Sequence, residues 1–117
     1  MKELKLPWPP KILSPNSRSH WATKAKAAKK YRADCFFLTK KSGLTVSDAD
    51  GKINLFIDFH PKTKHKRDID NCLSSIKNGL DGVADALGVN DNRFILHLNL
   101  SENTGDYVIL KINIDKT

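Results

Sequence analysis

The chain has 117 residues, of which 39% are hydrophobic, two cysteines and a formal net charge of +7. That length suits one domain with a single core, and two cysteines with no C-x-x-C pair exclude a disulfide framework. No stretch approaches the roughly 20 apolar residues of a bilayer span and the opening MKELKLPWPP lacks the apolar run of a signal peptide, so a reduced, cytoplasmic setting without membrane contact is expected.

In chain order, Leu4, Leu6 and Trp8 alternate with Glu3 and Lys5, which predicts a strand over 2–8. Pro9 and Pro10 end it, because neither can donate to a ladder. Pro15, Asn16 and Ser17 punctuate a turn-rich stretch, KILSPNSRSH. A helix over 20–41 would bury Trp21, Ala25, Ala28, Tyr31, Cys35 and Leu38, with Gly43 as its stop.

A polar connection, SDADGK, leads to INLFIDFH, in which Ile53, Leu55, Ile57 and Phe59 alternate with Asn54, Phe56, Asp58 and His60 as in a strand. Beyond a basic loop, Leu73, Ile76, Leu80, Val83, Ala84 and Leu87 recur at helical spacing and close at Gly88. Gly79 and Gly82 sit inside that helix at a cost of about 1 kcal/mol each, so either a neighbour packs closely there or the helix breaks. Two alternating segments around ENTGD, at 94–100 and 108–114, are expected to pair as a hairpin. The order β-α-β-α-β-β predicts one α+β domain over 1–117, a two-layer sandwich with a four-stranded mixed sheet covered by two helices.

Charge is uneven along this chain. Residues 18–41 hold eight Lys/Arg against one Asp, so that segment alone carries the net +7. Exposed helices ordinarily mix both signs, and a one-sided basic surface points to a polyanionic partner. Arg18, Lys24 and Lys29 are the candidate phosphate contacts there, while Trp21 and Tyr31 are assigned to the core.

The stretch KTKHKRDIDN places Lys62, Lys64, Lys66 and Arg67 directly before Asp68 and Asp70. Helix capping accounts for one of these aspartates. It does not account for the second, for the cations ahead of them, or for Asp91 in VNDNRF. Three carboxylates near a cationic loop match the oxygen donors that Mg²⁺ takes while keeping waters for a phosphodiester reaction. The cations would offset the repulsion between those carboxylates and the DNA backbone. No zinc spacing, glycine-rich phosphate loop or nucleophile elbow is present, so no small-molecule cofactor beyond the metal is expected.

Together, LPWPP, LSPNSRSHW, KRDIDN and DALGVNDNRF resemble the RusA family of Holliday junction resolvases, small endonucleases common in phages and prophages. The motifs run from residue 6 to about residue 94. The resemblance implies a RusA-like fold and a homodimer that binds four-way DNA junctions and nicks two opposed strands in a Mg²⁺-dependent reaction, with Mn²⁺ as a substitute. It places the family's metal-binding aspartates on Asp68, Asp70 and Asp91. The family's functional lysine falls on Ser74, and Lys77, at helical spacing from Asp70, is the replacement candidate. The alternative is a non-catalytic basic module that binds DNA without turnover.

A straight helix over 71–87 spans about 25 Å and would hold Asp91 far from Asp70. Either the helix bends near Gly79 and Gly82, the following segment folds back, or Asp91 comes from the partner subunit. A break or fold-back within one chain is the expectation taken forward.

Overall fold

The computed structural model of this chain describes residues 2–46 and 51–114, so most of the expected connection over 47–52 lies outside the described residues. The elements are β1 (Lys2–Pro7), a 3₁₀ turn (Lys11–Leu13), α1 (Trp21–Ser42), β2 (Ile53–His60), α2 (Ile69–Leu87), a second 3₁₀ turn (Asp91–Arg93), β3 (Phe94–Leu100) and β4 (Tyr107–Ile114). They form an α+β structure in which the four strands make one sheet in the order β1-β4-β2-β3. β4 is antiparallel to both neighbours and β3 is parallel to β2, so the sheet is mixed.

The expected hairpin between the last two strands does not form, because β2 lies between them. Burial explains the order. Val108, Leu110 and Ile112 of β4 are buried and require neighbours on both sides, whereas Leu96, Leu98 and Leu100 of β3 are only half-buried and tolerate an edge. The connection between these strands wraps the end of β2. The Ser101 amide donates to the Phe59 carbonyl at 2.9 Å, Gly105 to Pro61 at 2.9 Å and Asp106 to His60 at 2.8 Å.

One sheet face presents Leu4, Leu6, the odd positions of β2 and Val108, Leu110 and Ile112 of β4 to the core, where Tyr31, Cys35, Ile76, Leu80 and Val83 of the helices meet them. The Tyr31 hydroxyl donates to the Pro7 carbonyl at 2.7 Å and ties α1 to the end of β1. Burial pushes the Cys35 thiol up to about 12, as expected of an inert core cysteine. The buried stripe of α1 begins only at Tyr31. Trp21 is 76% exposed and Ala25 is exposed, contrary to the predicted stripe, because the close contact with α2 lies further along the helix.

Nor does α2 break at its glycines. It runs unbroken from Ile69 to Leu87, and both glycines are where α1 crosses it: a Cβ on Gly79 would meet the Tyr31 ring and the Cys35 thiol, and one on Gly82 would meet the Arg32 carbonyl oxygen. The propensity cost of two glycines is offset by close helix packing.

Candidate functional site

Asp68 is the cap of α2. Its backbone is extended, and its Oδ1 accepts from the Asp70 amide at 2.9 Å, while its carbonyl receives the amides of Asn71 and Cys72. The capping interaction occupies one carboxylate oxygen and leaves Oδ2 without a protein donor among the described residues. Asp70, in the first turn of α2, is exposed and has no side-chain partner among those residues. Both carboxylates thus stand at a helix N-terminus, where the backbone dipole favours negative charge.

A cleft of about 710 Å³ opens beside Asp68; Asp70 does not line it. One wall is the segment after β1, with Trp8, Pro10 and Lys11; the other is the basic loop, with Lys62, Lys66 and Arg67, and Asp68 lies at the junction with α2. Lys11, Lys62 and Lys66 are exposed and have no acidic partner among the described residues. Lys64 is exposed on the same loop and does not line the cleft.

Arg67 behaves differently from the three lysines beside it. One guanidinium nitrogen donates to the carbonyls of Thr63 at 3.0 Å and His65 at 3.1 Å, and the group sits 5.7 Å from the centroid of the Trp8 ring. The Trp8 ring in turn meets Phe59 edge-on at 6.0 Å. Arg67 therefore folds the loop on itself and pins it to the opposite wall, a structural use of a cation read from the sequence as a phosphate contact. Burial pushes the Cys72 thiol on the cleft wall up, and the Arg67 charge opposes that shift.

Asp91 does not join the acidic pair within one chain. It opens the turn after α2, and the unbroken helix puts about 27 Å between its first and last residues. The expected break is therefore absent, the segment after α2 turns back only as far as Asp81, and among the described residues no three His, Cys, Asp or Glu side chains cluster so as to hold a metal ion. Asp91 instead shares the far end of α2 with Asp81, Asp85 and Arg32. Arg32 donates to Asp85 at 2.8 and 3.1 Å, which holds its guanidinium further above its ordinary range. Burial pushes the Asp81 carboxyl up, Arg32 pulls it back, and Asp91 adds to the rise.

Lys77 is exposed on α2 about 10 Å along the axis from Asp70 and does not line the cleft. Its charge acts on Asp81, one turn further on. Arg18 and Lys29 are exposed and Lys24 is half-buried, around the start of α1. Sequence reasoning missed Trp8, Pro10 and Lys11 as site residues. The residues stand in LPWPPK, which reads from sequence as the end of a strand and as a motif of resemblance.

No family model matches the chain. It is similar to an uncharacterized protein of Xylella fastidiosa (strain Temecula1 / ATCC 700964), with 43% identity in an alignment of 100 residues that covers 83% of this chain and 65% of that protein. The matched segment thus leaves about a third of that relative's length uncovered.

Proposed function

We propose that the protein is a Mg²⁺-dependent endodeoxyribonuclease of RusA type that resolves four-way DNA junctions by paired nicks as a homodimer. The observation that carries this reading is the placement of Asp68, whose Oδ2 has no protein donor among the described residues, in a cleft walled by Lys11, Lys62 and Lys66, with Asp70 exposed two residues further on and outside the lining. A site for polyanion chemistry needs both charges at close quarters, and the fold assembles them from separate segments.

The donor set fits the ion. Mg²⁺ is commonly held by one or two carboxylates plus substrate phosphate; Oδ2 of Asp68 would supply one hard oxygen donor at the cleft, and the exposed Asp70 carboxylate two residues on would supply a second. When bound, it would supply an activated water and steady the leaving 3′ oxygen. The lysines take the strand's phosphates, and Arg67 fixes the loop that presents them.

Asp91 enters this reading from a second copy of the chain. β3 is an edge strand, and β2 runs parallel to it with Phe59 opposite Leu100, so the end of β3 lies beside the start of the basic loop. Antiparallel two-fold pairing of β3 with its copy would carry the copy's Asp91 toward that end. A two-fold dimer also suits a substrate that is nicked on two opposed strands.

The test is cleavage of synthetic four-way junctions. Paired nicks are expected with Mg²⁺ and none in EDTA, with linear duplex of the same sequence spared. Cutting that ignores EDTA, or that treats duplex and junction alike, would refute the proposal. Junction binding without cutting in either condition would favour the non-catalytic module.

A separate expectation concerns the lysines. Replacing Lys62 and Lys66 by Ala should reduce the slope of log affinity against log salt by about 2, if each meets one phosphate. An unchanged slope would put the loop off the DNA.

A further inference from the structure

The LPWPP motif has no part in the acidic pair, yet it builds one wall of the cleft. We infer that this cleft seats an unpaired stretch of the strand being cut, so that the protein recognises single-stranded nucleotides at the scissile position, an inference that rests on the proposed function.

Size and lining carry the argument. A volume of about 710 Å³ lies in the range of small-ligand sites, which is room for a nucleotide or two. The wall is divided by chemistry. Trp8, Pro9 and Pro10 offer an apolar surface, and the Arg67 guanidinium that covers the Trp8 ring is a flat cation of the kind on which unstacked bases settle. Lys11 and Lys62 stand on opposite walls with no acidic partner among the described residues, free to meet successive phosphates. Asn16 and Asn71 add amide donors and acceptors for exposed base edges. A paired base hides its Watson–Crick edge and its stacking face, so the stacking part of the lining gains contacts only from an unpaired strand.

The chain's two tryptophans make the test direct. Trp21 is 76% exposed, so Trp21→Phe leaves the core intact and Trp8 as the sole indole reporter. That full-length variant is titrated in EDTA with an oligothymidylate of about 12 nucleotides, within the span of single-strand sites, and with a blunt duplex of equal length. The expected result is a saturable change in Trp8 emission with the single strand, absent with the duplex, and an affinity about tenfold weaker after Lys11→Ala, the loss of one charge-assisted contact. Three results would overturn the inference: no binding of the single strand, an equal Trp8 response to the duplex, or a silent Trp8 while anisotropy of a labelled strand reports binding. The readout needs no metal and no cleavage. Junction nicking with a silent Trp8 would sink this inference alone, and a Trp8 response without nicking would sink the nuclease reading and leave a cleft that binds single strands with no scissile position.

Discussion

Gly82→Ala is expected to destabilise the protein by about 3 kcal/mol and to lower its melting temperature by roughly 10 °C, the upper part of the range for overpacking. The added methyl would overlap the Arg32 carbonyl oxygen and come within 3.1 Å of the Phe36 amide nitrogen, both part of the α1 backbone. No rotamer change relieves such a clash, so the helices must separate across the core. Better helix propensity returns only about 1 kcal/mol. Gly79→Ala is the comparison: its methyl would meet side chains, the Tyr31 ring at 2.6 Å and the Cys35 thiol at 2.9 Å, which can shift in part. Urea unfolding of both variants should therefore rank Gly82→Ala below Gly79→Ala and both below the parent. A Gly82→Ala variant as stable as the parent would show that α1 and α2 do not pack this closely.

These glycines show what the chain's local pattern could and could not reveal. Their cost to α2 was legible, and close packing was one of two readings. The choice between packing and a break depended on α1, which no window around residue 82 contains. Strand positions were equally legible from alternation, since the inward residues of β2 and β4 are the buried ones. Their pairing was not, because β3 and β4 alternate alike and differ only in how deeply each face is covered. Trp21 was misplaced for a related reason: the helical stripe continues past the point where its partner helix ends the contact.

The candidate site divided in the same way. Asp68, Asp70 and the basic loop are contiguous and could be read together. Trp8 and Lys11 reach them only through the fold, by way of Tyr31 holding the end of β1 and Arg67 spanning to Trp8. Four adjacent cations read as equivalent. Hydrogen bonds to Thr63 and His65 set Arg67 apart, a distinction of geometry that residue type does not carry.

The second large effect follows from the distance between Asp70 and the far end of α2. If each site takes Asp70 from one chain and Asp91 from the other, a heterodimer of Asp70→Asn and Asp91→Asn gathers both lesions in one site and leaves the other whole. Each variant alone loses several kcal/mol of transition-state stabilisation, a fall of more than about 10³-fold in nicking rate. After co-refolding in equal amounts, half of the dimers are mixed and each holds one intact site. Total nicking should return to about a quarter of the parent level, as single nicks in place of paired ones. Neither folding defects nor general loss of DNA affinity would produce recovery on mixing. Nicking of a labelled four-way junction by the two variants, apart and mixed, is the measurement that tests the account most directly: silence apart and recovery together is the predicted result, and undiminished cutting by Asp70→Asn alone would contradict it.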